Sequence, residues 1–380
     1  ASELESSQND ILNGSDDSLM KQNWLDTLAD KPKQGANVEV TIDPALQQAA
    51  YDQLVGPGYE GSAVAIQPST GKVLAMASNP GYNPNDLMGD SAEDNWANLQ
   101  EQEGQPLVNH AGAETLPPGS IFKIITTAAG LNNGFDPSST LTGSNVITLP
   151  DTVTELTNYA NQKCNGQDSV TLQTAFALSC NTAFVEMSEQ IGADELRKYA
   201  KAFGVGENYD LGVSTSGGTL GDLPDGAATA QSAIGQRDVT MTALQAAVMA
   251  GTVANKGTRM QPYLVNRITD AQMKDVRTTK PKKADQAVNE ETAATLTDLM
   301  YASERSSWGY DGNGFASKTG TAEHGEGLAP HVWYVAFDPE RDIAVGVVVK
   351  NGGNLGESAT GGKVSGPIGR AILRAYQGEQ

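Results

Sequence analysis

Pro117-Pro118-Gly119-Ser120-Ile121-Phe122-Lys123 stands where the pattern of the chain changes from irregular to helical. Two prolines and a glycine cannot continue a helix, so the sequence predicts that a helix begins at or just after Ser120 and runs to residue 131. A serine at a helix start lies beside free backbone N–H groups and the positive end of the helix dipole, which stabilise developing negative charge. Lys123 lies three residues on, one turn away on the same face.

Lys123 lies in apolar surroundings, because its neighbours along the chain are Ile121, Phe122, Ile124 and Ile125. Such surroundings disfavour the charged ammonium, so the amine can act as a base near neutral pH. A serine hydroxyl becomes a useful nucleophile only with a base of this kind in reach. This pattern alone does not distinguish a catalytic serine from a structural one, because Ser120 would equally serve as a helix cap while Lys123 extends to solvent.

Helical periodicity continues beyond this stretch to about residue 300. Helices are predicted at 120–131, 170–178, 181–191, 193–203 and 240–255. Strand patterns lie outside this helical middle: 61–66 and 72–77 predict one hairpin, and 331–337 and 342–350 predict a second. Asp43 and Pro44 predict a helix start ahead of the first hairpin, and residues 366–376 predict a closing helix.

Strands near both ends with helices between them predict an α/β (α+β) fold. An antiparallel sheet would be flanked by terminal helices, with an all-helical lobe inserted between its strands. The cleft between sheet and lobe is a good place for a site. We interpret residues 37–380 as this one domain, and the polar, acidic residues 1–36 as the remnant of an N-terminal non-catalytic segment.

Ser179-Cys180-Asn181 lies at the junction of two predicted helices. A serine and an asparagine separated by one residue at such a break can face one cleft, where a hydroxyl would relay a proton and an amide would recognise substrate. The same residues would equally serve as caps of the 181–191 helix.

Lys318-Thr319-Gly320-Thr321 precedes the second hairpin. On a strand, Lys318 and Gly320 point to one side while Thr319 and Thr321 point to the other. Gly320 leaves room for a ligand against the backbone. A cation with hydroxyls at a strand edge suits an extended peptide that ends in a carboxylate, although an ordinary exposed edge strand would have the same sequence.

Composition excludes several classes of function. The net charge of −21 argues against nucleic-acid binding. No apolar run approaches the ~18 residues of a membrane span. The two cysteines, Cys164 and Cys180, are compatible with one disulfide or with two buried thiols, and nothing in the sequence predicts a metal or an organic cofactor.

The sequence lacks the motifs of two other classes of protein, the Ser-His-Asp hydrolases and the nucleotide-binding proteins with a phosphate loop. The chain has three histidines, His110, His324 and His331, but no G-x-S-x-G motif that would present a nucleophilic serine to one of them. A Ser-His-Asp hydrolase is therefore disfavoured. Gly361-Gly362-Lys363 is followed by Val364 and does not complete a phosphate loop.

Taken together, the three motifs in the order SxxK, SxN and KTG resemble those of the penicillin-recognising serine enzymes. The chain resembles a class B penicillin-binding protein over nearly all of 37–380, and the two cysteines are most similar to the actinobacterial PBPA type. Further family-like landmarks are Asn109-His110, Gly235-Gln236-Arg237, Ala254-Asn255-Lys256-Gly257, Pro262 and His331-Val332-Trp333-Tyr334.

The resemblance implies a peptidoglycan D,D-transpeptidase with Ser120 as nucleophile and Lys123 as its base. Ser179 would relay the proton, Asn181 would hold the donor peptide, and Lys318 and Thr319, with Thr321, would hold the terminal carboxylate. The N–H groups of Ser120 and Thr321 would form the oxyanion hole, and Gly320 would let the peptide lie close to the strand.

The resemblance also implies partners and a place of action. Stem peptides ending in D-Ala-D-Ala would be substrates, β-lactams would be covalent inhibitors, and a membrane glycosyltransferase of the RodA/FtsW kind would be a partner. The protein would be extracytoplasmic, anchored by a segment missing from this chain, and export would allow Cys164 and Cys180 to pair. A D,D-carboxypeptidase, a β-lactam sensor and a β-lactamase are the alternatives, although Glu207 lies in a sequence unlike the deacylating loop of β-lactamases.

Overall fold

A computed structural model describes residues 3–20, 23–24, 28 and 34–378. Its centre is a five-stranded antiparallel sheet in the order β3-β4-β5-β1-β2. The strands are β1 (Gly61–Ile66), β2 (Val73–Asn79), β3 (Ala316–Ala322), β4 (His331–Asp338) and β5 (Ile343–Val349). Both predicted hairpins are therefore confirmed, and β3 forms one edge of the sheet.

The sheet is covered on both faces, which explains why β5 is apolar without alternation. On one face it packs against two terminal helices, α1 (Pro44–Val55) and α9 (Gly361–Ala375). Asp43 caps α1 by accepting from Ala45 N and Leu46 N, with Pro44 in its first turn, as predicted. The opposite face packs against α7 (Ala243–Ala254) and the helical lobe.

The lobe contains most of the remaining helices: α2 (Lys123–Leu131), α3 (Leu172–Leu178), α4 (Asn181–Ile191), α5 (Ala193–Ala202) and α6 (Gly226–Ala233). Helix α8 (Glu290–Ser306) packs against both α3 and β3. Shorter helices lie at Glu3–Ser7, Asn9–Leu12, Ala92–Glu101 and His110–Ala113. The predicted fold class is confirmed, and the five helices predicted between residues 120 and 255 lie within a few residues of their predicted positions, whereas α6 and α8 were not predicted.

The lobe is not purely helical, because it carries two short antiparallel ladders that the sequence pattern did not reveal. Thr140–Thr142 pairs with Ser169–Thr171, and Val146–Thr148 pairs with Glu155–Thr157. Each strand has three residues, too few to show a period-two pattern. Further strands, Thr258–Met260, Val265–Thr269, Asp275–Thr278 and Lys283–Gln286, lie between α7 and α8.

Helix α9 begins five residues earlier than predicted. The sequence predicts a start at Gly366, because residues 351–362 are rich in glycine, which is typical of a loop. In the structure, Thr360 caps the helix, and a Cβ at Gly361 would lie 2.2 Å from Trp333 O. Gly361 therefore allows the helix to touch the sheet backbone, which is a packing role.

Some N-terminal residues pack against the domain and form a small hydrophobic core that is separate from its main cores. Ile11, Leu19 and Ala36 are buried against Ile268. The strand Asn37–Val40 pairs antiparallel with Val265–Thr269. Residues 1–36 are interpreted from the sequence as the remnant of an N-terminal segment. Part of them lies outside the residues that the structure describes. Among the described residues, no helix is both long and apolar enough to cross a bilayer.

Candidate active site

Ser120 lies in a 3-10 turn, Gly119–Phe122, that leads directly into α2. Gly119 N donates to Gly235 O at 3.0 Å. A Cβ at Gly235 would lie 2.0 Å from Gly119 O, and its φ of +74° belongs to the left-handed region, so this close approach requires glycine. The predicted helix start is confirmed to within three residues, with the tighter turn holding the serine at its N-terminal side.

Lys123 is completely buried, and its Nζ lies 3.0 Å from Ser120 Oγ. The same Nζ donates to Ser179 O at 2.9 Å and to Asn181 Oδ1 at 2.8 Å. A neutral amine has two N–H donors and one lone pair. The two short bonds can use both donors, which leaves the lone pair to accept the hydroxyl hydrogen of Ser120. The geometry therefore suits a lysine that acts as a base.

The burial of Lys123 sets its protonation. Loss of hydration, followed by repulsion from Lys318, places the pKa of Lys123 well below its usual value of 10.5. Its Nζ forms no ion pair within the described ranges, and its nearest charged neighbour is another cation. The Phe184 ring, 5.2 Å from Nζ, is the electron-rich group beside it.

Ser179 lies between two helices, as predicted, and connects all three motifs. Its backbone is left-handed, with φ 60° and ψ 45°, a conformation that costs free energy in a residue other than glycine. This turn places Ser179 Oγ 2.9 Å from Lys318 Nζ and 3.2 Å from Lys123 Nζ. A hydroxyl that bridges two lysines is well placed to pass a proton.

Asn181, the first residue of α4, has its side-chain amide held from both sides. Its Oδ1 accepts from Lys123 Nζ, and its Nδ2 donates to Thr157 O at 3.2 Å. Because the N–H of Lys123 requires the amide oxygen and the carbonyl of Thr157 requires the amide nitrogen, the orientation of the amide is determined by its partners.

The edge strand β3 carries the third motif with the predicted alternation. Lys318 and Gly320 are buried, whereas Thr319 and Thr321 are partly exposed. A Cβ at Gly320 would lie 2.8 Å from Pro118 O, so this glycine lets the serine turn pack against the strand. The sequence predicts that Gly320 leaves room for a ligand, and its close contact with the serine turn is a second reason for glycine at this position. Burial lowers the pKa of Lys318 to about 7.

Two phenylalanines that the sequence did not single out, and Trp333, which it marked only as a family-like landmark, also shape the site. Phe176 and Phe184 lie under the two lysines, with Phe176 centred 5.7 Å from Lys318 Nζ. Both lie three residues from the Ser179–Asn181 motif, on the adjoining helical turns, so helical spacing was a usable signal. Trp333 Nε1 donates to Pro117 O at 2.8 Å and ties the serine turn to the sheet.

Behind β3 lies a buried ionic cluster centred on Glu304, which is 0% exposed. Its carboxylate accepts from Arg370 Nε at 2.7 Å, from Tyr334 OH at 2.9 Å and from Ser317 Oγ. Ser317 directly precedes Lys318, so this cluster supports the strand that carries the third motif.

The two cysteines form a disulfide, with their Cα atoms 5.7 Å apart. The expectation that they pair is confirmed. The bond joins the turn at Cys164 to Cys180, and so reaches the residue between Ser179 and Asn181.

These features define a class of protein. A serine at a helix start, a buried lysine within hydrogen-bond distance of it that has no carboxylate partner among the described residues, and a sheet edge that meets a helical lobe are features of an active-site serine acyltransferase.

Comparison with known proteins gives the family. Residues 61–374 match the penicillin binding protein transpeptidase domain, and residues 1–38 match the penicillin binding protein A dimerisation domain. The chain is 44% identical to the peptidoglycan D,D-transpeptidase PbpA of Mycolicibacterium smegmatis, over 98% of this chain and 79% of that protein. It is 42% identical to PbpA of Mycobacterium tuberculosis, over 99% of this chain and 80% of that protein.

Solved structures agree with this match. The penicillin G acyl-enzyme complex of penicillin-binding protein A from M. tuberculosis superposes with a TM-score of 0.93 at 40% identity, covering 98% of this chain and 88% of that one. The ceftriaxone acyl-enzyme complex of the same protein gives 0.93 at 41%, covering 98% and 87%. The chain belongs to the penicillin-binding protein transpeptidase family.

Proposed function

We propose that Ser120 is the nucleophile of this transpeptidase and that Lys123 is its general base. The observation that carries the proposal is the 3.0 Å contact between Lys123 Nζ and Ser120 Oγ in a site where burial favours the neutral amine. Ser120 Oγ attacks the penultimate D-Ala carbonyl of a stem peptide, and its proton passes to Lys123. The backbone N–H groups of Ser120 and Thr321 stabilise the oxyanion.

Collapse of the tetrahedral intermediate breaks the bond to the terminal D-Ala. The leaving nitrogen needs a proton, and Ser179 delivers it, since its hydroxyl lies within hydrogen-bond distance of both lysines. An amine from a second stem peptide then attacks the ester, forms the cross-link and returns the proton to Ser120 through the same groups.

Substrate recognition is assigned to the remaining motif residues. Asn181 donates its free amide N–H to the donor peptide. Lys318 and Thr319, with Thr321, hold the terminal carboxylate beside the strand edge, and Gly320 lets the peptide approach the backbone. Burial of Lys318 in a site without a described carboxylate partner supports this role, because an incoming carboxylate stabilises the cation.

The protein is a peptidoglycan D,D-transpeptidase, an active-site serine acyltransferase that β-lactams acylate. The acyl-enzyme complexes of the M. tuberculosis relative support acylation at the corresponding site. We further propose that residues 1–36 end a non-catalytic N-terminal segment, that the protein acts outside the cytoplasm on a membrane anchor, and that a glycosyltransferase of the RodA/FtsW kind supplies its glycan strands. The match of residues 1–38 to a dimerisation domain supports the first of these.

The test uses a donor peptide ending in D-Ala-D-Ala, an amine acceptor and the purified protein. We expect D-Ala release together with a peptide–acceptor product, and both should be lost in Ser120→Ala. Release of D-Ala with only the hydrolysed donor would indicate a carboxypeptidase. Mass spectrometry after penicillin treatment should place the adduct on Ser120, and an adduct on another serine would overturn the assignment.

A further inference from the structure

Three consecutive residues at the start of α4 are each fastened to one segment of the lobe. We name residues 142–166, which contain the hairpin Val146–Thr148 and Glu155–Thr157, the rim segment. Cys180 is bonded to Cys164, Asn181 Nδ2 donates to Thr157 O, and Thr182 N donates to Asn158 Oδ1 at 3.0 Å. Thr182 Oγ1 adds a bond to Ser144 O at 2.8 Å. The rim segment is thus attached directly to the residue that binds the donor peptide.

Asn158 holds this attachment together. The residue is only 7% exposed although its neighbours Thr157 and Tyr159 are exposed. While Oδ1 accepts from Thr182 N, Nδ2 donates to Ser144 O at 3.0 Å and to Gln162 O at 3.1 Å. One buried side chain therefore joins both sides of the rim segment to the first turn of α4. Its removal would leave the buried N–H of Thr182 without a partner and would release Gln162 O.

The position of Thr157 decides how Asn181 presents its amide. Lys123 Nζ takes the oxygen of that amide, and Thr157 O takes one hydrogen of its nitrogen. Within the described residues the amide makes no further hydrogen bond, so one N–H remains for a substrate carbonyl. If Thr157 O moved away, the amide would lose one of the two partners that fix its rotation, and the remaining N–H would no longer have a fixed direction.

We propose that Asn158 is a positioning residue for recognition of the donor peptide. It holds Thr157 O against Asn181, and the amide then presents its free N–H to the acyl-amide carbonyl of the donor. This inference rests on the proposed role of Asn181. It gives the rim segment a role in substrate selection, which is separate from the proton transfers among Ser120, Lys123 and Ser179.

The test compares two β-lactams that differ at the group Asn181 would recognise. Penicillin G carries an acylamino side chain with a carbonyl, whereas 6-aminopenicillanic acid carries a free amine at that position. We expect Asn158→Ala to lower the ratio of the two acylation rate constants, penicillin G over 6-aminopenicillanic acid, by about tenfold, the effect of one lost hydrogen bond to the transition state. A loss of folded protein would lower both rates equally and leave the ratio unchanged.

Asn145→Ala is the matched control, because Asn145 Nδ2 donates to Asn161 Oδ1 within the rim segment and makes no side-chain bond to α4. Its ratio should equal that of the wild type. Asn158→Asp keeps the oxygen that accepts from Thr182 N but loses the N–H donors to Ser144 O and Gln162 O, so its ratio should also fall. This second variant keeps the proposal testable if Asn158→Ala does not fold.

An unchanged ratio in Asn158→Ala, or in Asn158→Asp where the first variant is unfolded, would overturn the proposal. Normal labelling of Ser120 in such a variant would leave the proposed function intact. If penicillin G failed to label Ser120 even in the wild type, the failure would instead belong to the proposed function.

Discussion

Lys318 Nζ donates a 2.9 Å hydrogen bond to Ser179 Oγ, and this contact joins the edge of the sheet to the helical lobe. The same hydroxyl lies 3.2 Å from Lys123 Nζ, so two buried lysines share one oxygen. Repulsion between the lysines contributes to the low pKa of Lys123. The cation proposed to bind the substrate carboxylate therefore adds to the effect of burial in favouring the neutral form of the lysine that we propose as the base.

The first prediction is a bell-shaped dependence of penicillin acylation on pH. The base must be neutral, so the second-order rate constant should rise as pH increases through the lowered pKa of Lys123. Lys318 must be charged to hold the carboxylate, so the rate constant should fall as pH rises through its pKa of about 7. Stopped-flow acylation across a pH series measures both limbs. In Lys318→Arg the basic limb should disappear because guanidinium stays protonated, and an unchanged limb would assign it to another group.

A second prediction concerns the chemistry of Lys123. Lys123→Arg retains the positive charge but provides no neutral base, so acylation of Ser120 should fall by at least about a hundredfold, within the range that general-base catalysis contributes. Labelled penicillin with quantified adduct measures the rate, and thermal unfolding checks the fold. Acylation near the wild-type rate would show that the lysine acts only through its charge.

Much of this site could be predicted because its chemistry is local in sequence. Ser120 and Lys123 lie one helical turn apart, and the alternation at Lys318–Thr321 follows from strand geometry. The role of Thr157 could not be predicted in this way. It acts through a backbone carbonyl that carries no sequence signature, and a three-residue strand places it beside Asn181.

The start of α9 shows a different limit. Gly361 and Gly362 have the composition of a loop. The approach of Trp333 O and Gly320 O, which a Cβ at Gly361 would meet at 2.2 and 2.7 Å, explains why glycine is needed inside a helix there. Packing between elements that are distant in sequence therefore determines where α9 begins. The buried charge of Glu304 was missed for the same reason, since its partners Arg370 and Ser317 are 66 and 13 residues away.

The third prediction tests this buried cluster. Glu304→Ala leaves the guanidinium of Arg370 buried without its carboxylate, and should lower the free energy of unfolding by about 3–5 kcal/mol. Chemical denaturation measures the change. Glu39→Ala is a suitable control, because it breaks a partly exposed pair with Arg267 and should cost under ~1 kcal/mol. Equal losses in the two variants would contradict the prediction.

The disulfide gives the fourth prediction. Bonding Cys164 to Cys180 closes a loop of about 15 residues, which contributes roughly 3 kcal/mol in the chain-entropy model. The double variant Cys164→Ser, Cys180→Ser should therefore unfold at lower denaturant concentration. The unreduced, denatured wild type should contain no titratable thiol, and two free thiols would show that the pair is not bonded in solution.

The fifth prediction is that the penicilloyl ester persists. Hydrolysis requires a water activated beside the carbonyl, usually by a carboxylate. Among the described residues, no carboxylate hydrogen bonds to Ser120, Lys123, Ser179 or Asn181. Glu207, the acidic residue downstream of the second motif, is instead paired with Arg259 at 2.6 Å.

Two other acidic residues of the lobe are also engaged away from the serine: Glu186 accepts from Thr142 N, and Asp225 caps α6 by accepting from Ala228 N at 2.8 Å. Acylation should therefore proceed while deacylation stays slow, and the adduct should remain for many minutes to hours. Intact-protein mass spectrometry after removal of free penicillin follows its decay, with a chromogenic β-lactam as a parallel substrate. Stoichiometric penicillin should abolish cross-linking in the same sample. Turnover of the chromogenic compound many times per second would require an activated water that this arrangement of carboxylates does not provide, and would favour a β-lactamase.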